Sequence, residues 1–396
     1  MLLTTSAPTK LNICLPVNYL GMGGAERQLT DLAIGLDKSL FDVTVVTLES
    51  GGPLEPELAG QPGVSLHSLG RRGKLDPRPW FRLARLLKKR RVHVVQPFLT
   101  PATLYGLGAA MLARTPIRIV TERNGLRLNP GRGNHLYRFA EDRLTRFADR
   151  VVPNSEAGRR YVISRGIRSG MTQVIYNGIN PSRLRPDHDR AMGIRRDAGV
   201  PEGGFLVGNV ASLTPAKDQA SLLQAVRPLM DDHAGLRLAL VGDGPLRDRL
   251  ESLAGDLGIR DKVTFFGAQR GVADFIAAFD LAALSSVDHE GCSNFLLEAM
   301  GNGKPVVTTD IGGNPELVEH GRSGWIVPAG DPAAMGAAIS KILNAGPASA
   351  EIGEAGRRIV DERFSLARMV KDYEDLYQGL AALKLRHGQQ RRESAA

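Results

Sequence analysis

SSVDHEGCSNFLLEAMGNGKPVVTTDIGGNPELV, residues 285–318, decides how this chain folds. Just ahead of it, Leu281–Leu284 is a short apolar run and predicts a buried strand. Phe295, Leu296, Ala299 and Met300 then recur at helical spacing until Gly301-Asn302-Gly303 stops the helix. A loop carrying Glu290 therefore delivers the chain into a helix N-terminus near Ser293 and Asn294. Unbonded N–H groups and the positive end of the helix dipole make such a terminus a phosphate site, and Glu298 lies about one turn into the same helix. Pro305-Val306-Val307 starts a further strand that runs into a second glycine loop, residues 310–314, and Pro315-Glu316 opens another helix. Two consecutive strand-loop-helix units thus aim polar loops at one rim of a parallel sheet.

Glu290 and Glu298, with seven residues between them inside EGCSNFLLEAM and followed by GKPVV and DIGGNPE, resemble the retaining glycosyltransferases of family 4, glycosyl transferases group 1. The likeness covers nearly the whole chain and is strongest from about 205 to 332. It implies the glycosyltransferase B fold, an α/β architecture of two doubly wound parallel-sheet (Rossmann-like) domains facing across a cleft. The expected division is an acceptor-side domain over 1–180, a linker over 181–203 and a nucleotide-sugar-binding domain over 204–365. A helix over 366–386 is expected to cross back to the first domain, with a disordered tail over 387–396.

Composition sets bounds consistent with this. At 396 residues and 42% hydrophobic, the chain is long enough for two cores of similar size. Two cysteines, Cys14 and Cys292, cannot build a disulfide framework, which favours a reduced, cytoplasmic compartment. The N-terminal residues lack a basic stretch followed by an apolar one, and no run of about 18 apolar residues occurs, so a membrane span is not expected. Charge is uneven: up to residue 190 there are 29 Lys and Arg against 15 Asp and Glu, and the remainder is net acidic. A basic half fits an anionic membrane surface, here the inner face of the plasma membrane, or a phosphate-bearing acceptor. Nucleic acid is not an expected partner, because the basic residues are not interleaved with aromatics or set in a recognition motif.

In chain order, Lys10–Pro16 predicts a strand, and Gly21-Met22-Gly23-Gly24-Ala25-Glu26 leads into a helix with Leu29, Leu32, Ala33 and Leu36 on one face. Residues 43–48, 64–69, 92–96 and 117–121 continue as strands. The helix bearing Trp80, Leu83, Ala84 and Leu87 on one side and Arg82, Arg85, Lys88 and Lys89 on the other is the membrane-facing candidate. Residues 151–155 and 174–179 read as the last two strand ends of the first domain. Asp187-His188-Asp189 has the form of a metal-binding Asp-x-Asp, but no strand leads into it, so coincidence is preferred and no metal is expected. Beyond 205, apolar runs at 205–210, 236–241 and 263–266 are each followed by polar loops. Cys292 has no partner at metal-ligand spacing and reads as a small packing residue.

The resemblance supplies the roles. Glu290 would orient the donor sugar hydroxyls, and Lys217 would neutralise the diphosphate. Gly291, Cys292, Ser293 and Asn294 would meet the donor at the helix start, and Glu298 would accept from the ribose hydroxyls. Gly23 and Gly24 would lie beside the donor phosphates, and Gly242 and Gly244 would wall the nucleotide pocket. Ser212 stands where the family has an arginine, and Arg123 and Asn124 stand where many members have a histidine over the donor sugar. With Glu26 these two form the expected acceptor or sugar side. The implied reaction is retaining, metal-independent and cofactor-free transfer from a nucleotide-sugar, a UDP-sugar by preference or a GDP-sugar, to a glycan or lipid-linked acceptor in bacterial polysaccharide or lipopolysaccharide assembly. Two alternatives stay open: a nucleotide-sugar 2-epimerase of the same fold, and a non-catalytic nucleotide-sugar-binding protein.

Overall fold

A computed structural model describes residues 10–73, 76–123, 132–288 and 290–393. They form two compact units. One comprises the chain up to Arg123, the stretch 132–178 and the chain from Leu366; the other is Ile179–Ser365.

In the first unit β1 (Leu11–Val17), β2 (Phe41–Thr47), β3 (Val64–Ser68), β4 (Val94–Val95), β5 (Ile117–Glu122) and β6 (Arg150–Pro153) form one parallel sheet in the order β3-β2-β1-β4-β5-β6. In the second unit β7 (Phe205–Val210), β8 (Leu236–Val241), β9 (Val263–Gly267), β10 (Leu281–Leu284), β11 (Val306–Thr309) and β12 (Gly324–Val327) repeat the pattern as β12-β11-β10-β7-β8-β9. Helices cover both faces of a parallel sheet, so its central strands are largely apolar; β10, Leu-Ala-Ala-Leu, is buried at all four of its residues. Strand order reverses direction beside β1 in one sheet and beside β7 in the other. In an open α/β sheet, the loops leaving the carboxyl ends there part to opposite faces and leave a crevice where ligands bind.

The C-terminal helix Leu366–Glu393 belongs to the first unit. Its Met369, Val370, Tyr373, Leu376 and Tyr377 are buried in the same core as Ile13, Leu15 and Phe41. Gly35 admits it: a Cβ there would lie 2.6 Å from Val370 Cγ2.

Three expectations are corrected. Residues 174–179 are not a strand. Gln173 and Ile175 donate their amides to the carbonyls of Val151 and Pro153. The segment then turns at Asn177-Gly178, where the carboxamide of Gln28 brackets Gly178, donating to its carbonyl at 2.9 Å and accepting from its amide at 3.0 Å. A side chain thus stands in for a strand neighbour. The expected linker, 181–203, contains the helix His188–Asp197, capped by Asp187 and ending on Arg195 and Arg196. The tail expected to be disordered continues as helix to Glu393, because Gln389, Gln390, Arg391 and Arg392 favour helix even without an apolar stripe.

The helix Arg78–Lys89 buries Leu83, Ala84 and Leu87 and exposes Arg85, Lys88 and Lys89, with Phe81 64% exposed. Trp80 is fastened down by its indole N–H, which donates to the Leu104 carbonyl at 3.2 Å. Among the described residues no helix is long and apolar enough to cross a membrane.

Candidate active site at the carboxyl rim of the second sheet

Lys217 follows β7 and Glu290 follows β10. These strands are neighbours, so the two residues come from opposite sides of the reversal in strand order. The Lys217 ammonium is ion-paired with Glu290 Oε1, and the same oxygen accepts from Ser286 Oγ at 2.5 Å. Glu290 is 5% exposed. A carboxylate this buried is tolerable only when paired and hydrogen-bonded, and it receives both.

The surrounding loops are laced together by backbone and hydroxyl groups. Ser285 Oγ donates to the Lys217 carbonyl at 2.9 Å, the Val287 amide donates to the Ala216 carbonyl at 2.9 Å, and Thr309 Oγ1 donates to the Ser286 carbonyl at 2.5 Å. The Gly313 amide donates to the Glu290 carbonyl at 3.2 Å. Gly312, at φ +59°, permits that approach, since a Cβ there would lie 1.9 Å from the same carbonyl oxygen. Glu290 is therefore held from both ends.

Ser293 caps the helix Asn294–Gly301, its hydroxyl accepting from the Leu296 amide at 3.4 Å. Gly291 and Cys292 are buried just before it, and Asn294 and Glu298 are half-buried one turn apart. Gly242 has φ +141°, and a Cβ there would fall 1.9 Å from the Ala211 carbonyl oxygen; at Gly244 it would fall 2.4 Å from that of Leu213. The glycines thus let the loop after β8 close on the loop after β7. Ser212 is exposed, and its carbonyl accepts from Gln219 Nε2 at 3.1 Å. Sequence reasoning missed Asp218, which takes a left-handed conformation immediately after Lys217 and caps the helix Gln219–Asp232. An Asp preceding an apolar helical stripe was the available signal.

The remaining candidates lie in the first unit. Gly23 is the N-cap of the helix Gly24–Gly35, and Glu26 folds back over it, so that a Cβ on Gly23 would lie 2.4 Å from Glu26 Oε2. Burial raises the Glu26 carboxyl above its ordinary pKa. Arg123 turns inward: Nη1 donates to Asn177 Oδ1 at 2.6 Å and Nη2 to the Tyr373 hydroxyl at 3.0 Å, with the guanidinium 4.9 Å from the Phe98 ring centre. Asn124 lies outside the described residues. Gln28 carried no signal for such contacts, while Asn177 read as a turn residue and Tyr373 as part of an apolar helical stripe. Among the described residues no three or more His, Cys, Asp or Glu side chains are grouped to hold a metal ion. Asp187 is occupied as a helix cap, accepting from the Arg190 amide at 3.1 Å.

The family described as Glycosyl transferases group 1 matches residues 204–345, and Glycosyltransferase Family 4 matches residues 22–183. The lipopolysaccharide core biosynthesis glycosyltransferase LpsD of Rhizobium meliloti (strain 1021) is 31% identical over 198 residues, covering 50% of this chain and 55% of that protein. The N-acetyl-alpha-D-glucosaminyl L-malate synthase of Bacillus anthracis is 30% identical over 205 residues, covering 52% of this chain and 53% of that protein. The chain spans about half the length of these curated relatives. Anabaena HepE (Alr3699), solved in complex with UDP, is similar over 93% of this chain and 100% of its own, with a TM-score of 0.80 and 25% identity.

Proposed function

Since the chain belongs to the family 4, group 1 glycosyltransferases, we propose that it moves a sugar from a nucleotide-diphosphate donor to a glycan or lipid-linked acceptor, with retention and without a metal. A UDP-sugar is favoured over a GDP-sugar because HepE, similar along its whole length, was solved with UDP. Cell-surface polysaccharide or lipopolysaccharide assembly is the proposed setting, on the likeness to LpsD. A cytoplasmic protein peripheral to the inner membrane face fits the basic helix Arg78–Lys89.

One observation carries this reading: the Lys217–Glu290 pair straddles the point where strand order reverses. A diphosphate bound there meets the Lys217 ammonium and the amides at the start of the helix Asn294–Gly301, which stabilise the negative charge that builds as the bond to the sugar breaks. Glu290, anchored by Ser286, holds the sugar hydroxyls, and Glu298 takes the ribose. The acceptor hydroxyl attacks from the face the diphosphate leaves; its oxygen bonds the anomeric carbon as the bond to the phosphate oxygen breaks, and that phosphate oxygen takes its proton. No protein base is needed. Gly23 and Gly24 serve the donor phosphates, and Glu26 and Arg123 the acceptor or sugar side.

A thermal-shift screen of UDP- and GDP-sugars, followed by product analysis with the best donor, tests the proposal. A bound donor stabilises by mass action, and transfer should preserve the anomeric configuration. A donor that is inverted on transfer, or isomerised without acceptor, would overturn it.

A further inference from the structure

We propose that the Lys217–Glu290 pair makes the site discriminate against its own product, holding a nucleoside diphosphate that still carries a sugar more tightly than the free diphosphate left after transfer. The inference rests on the transfer reading and adds to it how the spent nucleotide is expelled. It follows from a shared cation: the ammonium that a diphosphate recruits is the one that neutralises Glu290.

The two partners are unequally free. The Lys217 side chain is 23% exposed and can turn to a ligand, whereas that of Glu290 is 6% exposed. Glu290 is also held against swinging out to water. Its carbonyl accepts from the Gly313 amide at 3.2 Å, Gly312 packs against that carbonyl, and Ser286 Oγ donates to its Oε1 at 2.5 Å. Among the described residues no other Lys or Arg pairs with it. Withdrawing one partner from a buried pair leaves an uncompensated charge, and the hydroxyl of Ser286 alone offsets only part of that cost.

Donor and product relieve this loss differently. A sugar linked to the outer phosphate brings hydroxyls that donate to the Glu290 carboxylate in charge-assisted bonds as Lys217 turns to the diphosphate. The free diphosphate brings no such donors. Its outer phosphate, no longer esterified, carries an additional negative charge on the side where the sugar was, facing the carboxylate. The preference therefore comes from a penalty on the wrong ligand, a buried carboxylate left unpaired and met by a like charge. That penalty arises as the sugar leaves, so transfer itself loosens the hold on the nucleotide.

Titration calorimetry on the full chain tests this with UDP, UMP and the best-binding UDP-sugar of the thermal-shift screen. In wild type the UDP-sugar should bind more tightly than UDP, and the reverse order would overturn the proposal without recourse to any variant. Glu290→Gln keeps the shape of the side chain and an acceptor for Ser286 and removes the charge. It should bind UDP about tenfold more tightly than wild type, the low end of what a like charge at close range does, and the UDP-sugar about fivefold more weakly, as charge-assisted bonds become neutral ones. UMP, which lacks the outer phosphate, should bind both proteins alike, which tells the effect at Glu290 from a general change in fold. UDP affinity unchanged or reduced in Glu290→Gln, or equal tightening of UDP and UMP, would overturn the proposal. Failure of both UDP and every UDP-sugar to bind wild type would overturn the donor reading, and this inference with it.

Discussion

The two sheets share a strand order and its reversal, yet their rims differ in chemistry. The second rim brings opposite charges together, Lys217 against Glu290, and locks them with hydroxyl-to-carbonyl bonds from Ser285 and Thr309. The first rim presents a half-buried carboxylate, Glu26, with an exposed aromatic ring close by. Topology therefore decides where each unit can bind, and a few loop residues decide what. A preorganised ammonium held beside the amides of a helix start suits a diphosphate whose charge grows during reaction.

The contrast can be broken at the second rim first. Lys217→Ala should cut turnover about a hundredfold or more, the scale for loss of one preorganised stabiliser of developing charge, whereas chelator should change steady-state rates little. Activity that vanished in chelator and returned with magnesium would place the charge stabilisation elsewhere. Gly312→Ala comes next. A side chain at φ +59° colliding with the Glu290 carbonyl should cost at least about 2 kcal/mol in denaturant unfolding, and an unchanged midpoint would show that the glycine loop is not what fixes Glu290.

Glu298→Ala should raise the apparent Michaelis constant for donor about tenfold, with turnover nearly unchanged, because a ribose contact is alike in ground and transition states. The opposite split would move Glu298 from binding to chemistry. At the basic side of the first unit, neutralising Arg85, Lys88 or Lys89 should each weaken binding to anionic liposomes about fivefold, with strong salt dependence. Equal binding to neutral liposomes would remove the electrostatic account.

The smallest effect concerns Glu26. Its carboxyl binds a proton more tightly folded than unfolded, so its stabilising contribution is present below the unfolded pKa and is lost as pH rises through the folded one. Glu26→Gln should therefore raise the melting midpoint slightly at neutral pH and not in acid; a uniform shift would mean that contacts rather than titration are at work.

Much of this architecture was legible because buried parallel strands are written as unbroken apolar runs. Leu238–Val241 and Leu281–Leu284 are such runs. The glutamates after β10 were legible through spacing and flanking glycines. The corrections fall where order comes from distant polar groups. Nothing near Val174 announces that Gln28, 150 positions away, will take the place of a paired strand at Gly178. Arg123 shows the same reach: its contacts to Asn177 and Tyr373 come from 54 and 250 positions away. The helix over 188–197 was missed for another reason: it buries only Ala191, so capping at Asp187 was its signal rather than an apolar stripe.

The C-terminal helix has a consequence for synthesis. Ile179–Ser365 is one continuous stretch and can complete its core as soon as it has left the ribosome. The first unit cannot, because Met369, Tyr373 and Tyr377 belong to the same core as Ile13 and Phe41 and are made last. The first half of the chain must wait, with apolar surface uncovered, while the second folds, so the order of completion is the reverse of the order of translation.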